Sequence, residues 1–328
     1  MSALAGCAGT PPVDHSPIKE ETYVKIGGID QWITIKGADR SNPVILFLHG
    51  GPGDAVSPFA DSWYPGWDKQ FTLVQWDQRG AGRTFAKSEE SVAATLTVER
   101  MTKDGIEVAE YLRKHLNKKK IILTGGSWGS VLGIRMAHAR SDLFYAYVGL
   151  AQVTNFSEDL RASYQKVRGI AQSKADQKAL DTLNEIGPPP WDSFDTWTKY
   201  FQVMRPYQAE LATSPFPAFA PSKEYEDDLR PGGTWAKADA FSQRTLFRSE
   251  LLRVDLTKFT DFKITIFLIH GEADLTIPIE RVRAYFKTIK APRKQFYAVP
   301  GTGHNPSAAE IEKQKEVLLN EVRLIAER

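Results

Sequence analysis

Lys120-Ile121-Ile122-Leu123-Thr124-Gly125-Gly126-Ser127-Trp128-Gly129-Ser130 is the stretch on which the fold turns. Ile121 to Leu123 is a continuous apolar run, as expected of a strand buried on both faces of a parallel sheet. Gly125 to Gly129 fits the pattern G-x-S-x-G, and Val131 to Arg140 has the composition of a helix. A serine on a tight strand-to-helix turn is held in a strained backbone conformation that only small flanking residues permit, with its hydroxyl raised beside a helix N-terminus. That presentation suits a nucleophile, and the plainer alternative is a glycine-rich structural turn.

Outward from this turn the same signature repeats. Val44-Ile45-Leu46-Phe47-Leu48, Phe71 to Trp76 and Ile264 to Ile269 are further short apolar runs. Val98 to Leu116 carries apolar residues at helical spacing, with Asp104, Glu107 and Glu110 expected toward solvent. Ahead of them, Tyr23 to Ile26 and Gln31 to Ile35 flank Gly27-Gly28-Ile29-Asp30 and read as an opening hairpin. Strands alternating with helices predict an α/β fold with a mostly parallel, doubly wound sheet. The alternation stops from about Gln152 to Val254, a segment rich in prolines and aromatic residues, among them Trp191, Trp197, Tyr200, Phe201, Tyr207, Phe216, Phe219, Trp235 and Phe241. The expected organisation is therefore a flexible leader over 1–18, a core over 19–151 and 255–328, and an inserted helical cap over 152–254. Most of the aromatics are expected to form the insertion's own core, while the insertion as a whole is expected to lie over the site as a lid.

At 328 residues the chain is long enough for one large α/β domain with an insertion, or for two modest domains. A formal net charge of +2 offers no broad attraction to a polyanion, so nucleic acid is not an expected partner. The single cysteine, Cys7, cannot form an internal disulfide, and no Cys/His cluster has metal-ligand spacing. No run reaches the roughly 18 apolar residues of a membrane-spanning helix. Leu4-Ala5-Gly6-Cys7 looks like the lipobox before the acylated cysteine of bacterial lipoproteins, but only six residues precede Cys7 and none is basic. The expectation is a cytoplasmic protein, with a membrane-tethered lipoprotein acylated at Cys7 as the alternative.

A serine hydroxyl is a poor nucleophile at neutral pH and needs a base, for which histidine is best matched. His15 lies in the expected leader, His49 ends a strand, His115 and His138 fall in helical stretches, and His270 belongs to the last apolar strand. His304, in the loop Pro300-Gly301-Thr302-Gly303-His304-Asn305-Pro306, follows the strands and completes the order Ser, Asp, His. The acid is expected after the strand 264–269, where His270-Gly271-Glu272-Ala273-Asp274 offers two carboxylates; Asp274, deeper in the loop, is favoured over Glu272. Its task would be to orient His304 and stabilise the imidazolium. Acyl transfer also needs donors for the developing oxyanion. His49-Gly50-Gly51-Pro52-Gly53 follows the first buried strand, and because Pro52 has no N–H the expected donors are the backbone N–H groups of Gly51 and Trp128.

With these residues in place, the chain resembles the proline iminopeptidase (prolyl aminopeptidase) group of the α/β-hydrolase superfamily. Three motifs carry the likeness: H-G-G-P-G at 49–53, Asp77-Gln78-Arg79-Gly80-Ala81-Gly82-Arg83, and Gly125-Gly126-Ser127-Trp128-Gly129-Ser130. It runs from about Tyr23 to Leu150 and resumes from about Phe262. The resemblance implies an α/β-hydrolase fold, no metal or organic cofactor, a helical cap, and a peptidase that releases N-terminal residues, proline preferred, from a small peptide through a Ser127 acyl-enzyme. The alternative is a carboxylesterase, amidase or lactonase on the same scaffold with a hydrophobic small-molecule substrate. In true iminopeptidases cap carboxylates hold the free amine; no motif places them here. Glu185, Glu210 and Glu250 lie in the insertion, and Glu210 and Glu250, with Trp191 and Trp235, are the candidates for substrate contact. Asp77 and Arg79 read as an ion pair or hydrogen-bond network that orders a loop near the site. A non-catalytic binding module that keeps the fold is the third reading, disfavoured because triad and oxyanion loop are all present.

Overall fold

The structure is a computed structural model and describes residues 14–218 and 220–327; Cys7 and Phe219 lie outside the described residues. β1 (Ile18–Ile26) and β2 (Ile29–Gly37) form the opening antiparallel hairpin. Its two-residue turn is Gly27-Gly28, where both φ angles are positive, +57° and +83°, as the right-handed twist of a tight hairpin requires. There follow β3 (Val44–Leu48), α1 (Ala60–Trp63), β4 (Thr72–Trp76), α2 (Gly82–Ser88), α3 (Val98–His115), β5 (Ile121–Gly126), α4 (Trp128–Ala139) and β6 (Phe144–Leu150). Between β6 and β7 come α5 (Phe156–Ser173), α6 (Gln177–Ile186), α7 (Phe194–Leu211), α8 (Glu226–Leu229) and α9 (Thr234–Ser249). The chain ends with β7 (Thr265–Gly271), α10 (Ile279–Thr288), β8 (Lys294–Val299), α11 (Ala308–Val317) and α12 (Arg323–Ala326).

The strands make one sheet in the order β1-β2-β4-β3-β5-β6-β7-β8. β1–β2 and β2–β4 are antiparallel and every later pair is parallel. This is the α/β-hydrolase fold. From β3 the chain steps to β4 on one side and returns to β5 on the other, so the crevice above the carboxyl ends of β3 and β5 is the topological switch point, the place where open α/β sheets receive ligands. The H-G-G-P-G loop leaves β3 there, and Ser127 leaves β5. Every residue of β3, β4 and β7 is buried, as helices on both faces of a parallel sheet demand.

Three details differ from expectation. Asp104 does not face solvent: it is fully buried, where its carboxylate accepts hydrogen bonds from Arg79 Nε (2.8 Å) and Arg100 Nε (2.8 Å). An acidic residue on an otherwise charged helix face carries no mark of a partner supplied from a distant loop. β6, Phe-Tyr-Ala-Tyr-Val-Gly-Leu, and the edge strand β8, Lys-Gln-Phe-Tyr-Ala-Val, lack the aliphatic-rich run that marks β3, β5 and β7. The insertion also packs in two ways. α5, α6 and α7 share a core of their own built on Leu160, Tyr164, Leu183, Trp191, Tyr200 and Met204. α9 instead gives Leu246 and Phe247 to the main core and docks on the sheet's loops: Ser242 Oγ donates to Gly80 O (2.7 Å). A Cβ on Gly53 would lie 2.8 Å from the Asp239 Cα, so the last glycine of the H-G-G-P-G loop is the residue that lets α9 approach. No helix among the described residues is long and apolar enough to cross a membrane.

Candidate active site

Ser127 sits between β5 and α4 with φ +50° and ψ −119°, a region that L-residues rarely occupy. Its surroundings hold it there. The Ser127 N–H donates to Leu150 O (3.0 Å), and Ser127 O accepts from the N–H (2.9 Å) and the hydroxyl (2.6 Å) of Ser130. Glycine is required on both sides of the turn: a Cβ on Gly125 would meet Gly129 O at 2.5 Å, and one on Gly129 would collide with Leu48 O. The elbow is therefore formed by backbone packed on backbone, leaving the side chain of Ser127 to point upward.

The Ser127 hydroxyl donates to His304 Nε2 (2.9 Å), and His304 Nδ1 donates to Asp274 Oδ2 (2.9 Å). These two contacts set the tautomer, because a proton on Nδ1 leaves Nε2 as the acceptor for the serine proton. Asp274 is fully buried, and its second oxygen accepts the N–H groups of Thr276 (2.8 Å) and Ile277 (2.9 Å). Burial alone pushes this carboxyl up, yet the charge and hydrogen bond of His304, with His270 and the Ile277 N–H, outweigh it and hold Asp274 below the usual carboxylate range. His270 lies beneath, buried and 3.4 Å from Asp274 Oδ2, its Nε2 donating to Ile277 O (2.8 Å).

The loop before the serine is ordered by a histidine of another kind. His49 is buried, and burial pushes its imidazole down to about 4, so it is neutral: Nδ1 donates to Gly50 O (2.9 Å) and Nε2 accepts the Gln78 N–H (3.1 Å). Gln78 closes the network, its Nε2 donating to His49 O (3.1 Å) and its Oε1 accepting from Trp128 Nε1 (3.0 Å). The three motifs of the sequence are thus stitched to one another. Neither the Gly51 nor the Trp128 N–H is committed to a protein acceptor among the described residues. Asp77 and Arg79 do not pair with each other. Arg79 binds Asp104, whereas buried Asp77 accepts from Ser57 Oγ (2.6 Å) and the Arg83 N–H (2.8 Å); burial pushes its carboxyl up to about 6 against those two bonds.

Ser127 and His304 open on a cavity of about 480 Å³. Its walls are mostly apolar, with Phe156, Trp197, Phe201 and Phe247 contributed by the inserted helices and Val131 and Ile277 by the core. Trp235, a candidate for substrate contact, lines the cavity and donates from Nε1 to Ala55 O (3.0 Å). The other three candidates are elsewhere. Trp191 is buried in the α5–α7 core and donates to Gly187 O; Glu210 is exposed and pairs with Lys174; Glu250 follows the last turn of α9 and accepts the Val98 N–H. None of these three lines the cavity, because each is consumed by packing, by a surface ion pair or by a helix-to-helix contact.

Three residues outside those candidates bear on the site. Asp54, just after the H-G-G-P-G loop, lines the cavity with Asp239 of α9 behind it. Burial pushes both carboxyls up, and the Asp239 charge and their mutual hydrogen bond push Asp54 further; Asp239 also accepts from Gln243 Nε2 and feels the charge of Arg205, which lines the same cavity. Gln208 of α7 grips the loop that carries Asp274: its Nε2 donates to Ala273 O (2.8 Å) and its Oε1 accepts the Leu275 N–H (2.8 Å). A Cβ on Gly303, beside His304, would collide with the same amide, so Gln208 touches both loops. An Asp next to a glycine loop and a Gln inside a helix have no spacing that marks them; only the meeting of insertion and sheet does.

A family model described as alpha/beta hydrolase fold matches residues 43–308. A probable aminopeptidase, YbaC, of Bacillus subtilis (strain 168) is 30% identical over 297 residues, covering 88% of this chain and 91% of the relative. A probable proline iminopeptidase of Leptolyngbya boryana is 23% identical over 291 residues, 84% of this chain and 85% of that one. Among solved structures, a proline iminopeptidase-related protein of Thermus thermophilus superposes with a TM-score of 0.60 at 19% identity, over 94% of this chain and 98% of that one, a likeness of fold.

Proposed function

Because the chain belongs to the α/β-hydrolase fold family and is a hydrolase, we propose that Ser127, His304 and Asp274 act as nucleophile, general base and orienting acid in an acyl transfer from substrate to water. Ser127 Oγ attacks the carbonyl carbon while His304 Nε2 takes its proton; the oxyanion is received by the N–H groups of Gly51 and Trp128. The same proton passes from Nε2 to the leaving amine, and the acyl-enzyme forms as the amine departs. Water then attacks, again giving a proton to Nε2, and Ser127 is regenerated with release of the acid. Residues 152–254 serve as the cap that walls the acyl pocket.

The substrate class we propose is a short peptide with a free N-terminus, from which the enzyme removes one residue, proline preferred. The observation that carries this reading is the Asp54–Asp239 pair, two adjoining carboxyls at the cavity where a substrate ammonium can take the place of a proton between them. Likeness to a probable aminopeptidase and to a probable proline iminopeptidase supports the same class. The second reading, a carboxylesterase, amidase or lactonase, is favoured by the mostly apolar lining of the cavity. Comparing kcat/KM for prolyl β-naphthylamide, its N-acetyl derivative and short p-nitrophenyl esters separates the two. A free-amine advantage of about 100-fold, worth about 2.7 kcal/mol, supports the peptidase; turnover indifferent to acetylation, or of esters alone, supports the second reading.

A further inference from the structure

The cavity also carries polar groups, near α11, that the acyl transfer does not use. Gln75 of β4 sits beside Phe47 of β3, and Phe47 beside Thr124 of β5, in register on parallel strands, so their side chains share one face of the sheet. α11 covers that face: Gln314 Nε2 donates to Thr124 Oγ1 (2.9 Å), and Glu310 lies one turn earlier. Gln75 and Glu310 are each 3% exposed and Trp63, at the end of α1, is 9% exposed, and all three line the cavity. Trp63 Nε1, Gln75 Nε2 and Glu310 Oε1 have no hydrogen-bond partner among the described residues.

A buried polar group left unpaired costs about 1–3 kcal/mol, and apolar side chains of the same shape would avoid that cost. Three such groups lining one cavity mark a place completed by something bound. Their chemistry limits what that is. Trp63 and Gln75 present N–H donors. Burial pushes the Glu310 carboxyl well above its ordinary range, with the Asp274 charge adding to it, so it too carries a proton to donate. Donors repel an ammonium and welcome an oxygen acceptor.

We propose that Trp63, Gln75 and Glu310 form a subsite for the carbonyl oxygen of the portion of the substrate that leaves with the amine, so that peptides are bound in preference to aryl amides. This rests on the amide-cleaving reading of Ser127 and extends it to the far side of the scissile bond.

Calorimetry on the Ser127→Ala protein tests it without turnover, using prolylalanine amide, its N-acetyl derivative and prolyl β-naphthylamide, which has no carbonyl beyond the scissile bond. Adding Gln75→Leu or Glu310→Leu weakens prolylalanine amide at least tenfold, about 1.4 kcal/mol, and leaves the naphthylamide within twofold. Both changes remove an unpaired polar atom, so the melting temperature holds or rises. Trp63→Phe, which deletes the indole N–H, gives the same split should a Leu variant fail to fold. Equal loss for both ligands, no loss for either, or no binding of prolylalanine amide overturns the subsite. Acetylated dipeptide amide binding as tightly as the free one, with the split intact, overturns the aminopeptidase reading and leaves the subsite standing.

Discussion

The sheet and the helices inserted after β6 bury their apolar groups by different rules. In the sheet, short aliphatic strands vanish completely between helices, and the positions around Ser127 are decided by backbone meeting backbone: Gly125 against Gly129, Gly129 against Leu48. In α5–α7 the core is aromatic, Tyr164, Trp191 and Tyr200 packed ring on ring, with polar tips tied off by local bonds such as Tyr164 Oη to Leu183 O (2.8 Å). Backbone contacts tolerate only glycine and so leave a motif. Ring packing tolerates many residues of similar volume and leaves none. Machinery shared by a family belongs on the first kind of framework and a variable pocket on the second; α9 and Gln208 are where the two meet.

The comparison can be broken most decisively at the elbow. Ser127→Ala lowers kcat by about 10⁴-fold or more while the melting temperature is kept, read by steady-state assay alongside calorimetric unfolding. Substantial residual turnover would mean that the sheet positions some other nucleophile. Next is Asp77, buried in the loop that α9 covers. Its carboxyl is pushed up to about 6, so between pH 4 and 6 the folded chain holds a proton that the unfolded chain has lost. Stability from this group therefore falls as pH rises through that window. Relative to Asp77→Asn, the parent gains about 3 kcal/mol between pH 7 and pH 3 in urea titrations, most of it between pH 6 and pH 4; parallel curves would show the charge is not confined.

At the junction of sheet and insertion, Asp54→Asn lowers kcat/KM for prolyl β-naphthylamide by about 100-fold and leaves p-nitrophenyl ester hydrolysis within a few fold. An equal loss on both substrates would make Asp54 a support for the H-G-G-P-G loop. The smallest effect, about tenfold on kcat, is expected of Gln208→Leu, which frees the loops of Asp274 and His304 while KM changes little. Full activity in that variant would reduce the inserted helices to a wall with no hand in aligning Asp274 and His304.

The hairpin, four buried strands and the helix over 98–116 were legible because periodicity and glycine spacing report local backbone demands. β6 and β8 were not, since aromatic and polar residues stand where a buried strand usually has aliphatics. The order Ser127, Asp274, His304 was readable along the chain, and the structure brings those three side chains within hydrogen-bond distance. Glu210, Glu250 and Trp191 were chosen by residue type within the insertion, and type says nothing about which face of a helix turns to the cavity.

What the sequence determined by itself is the α/β-hydrolase framework and the residues whose neighbours are close in the chain: a serine between glycines, a histidine in a glycine loop, an acid after a strand. Tertiary structure alone decided that Asp104 is buried, that Asp54 meets Asp239, that Gln208 holds two loops, and that Trp63, Gln75 and Glu310 line one cavity. The physical reason is the range of the interaction. Backbone strain and strand burial act within a few residues and must be written locally, whereas charge pairing and cavity lining join residues far apart in the chain, which any sequence able to bring the right helix to the right loop can satisfy.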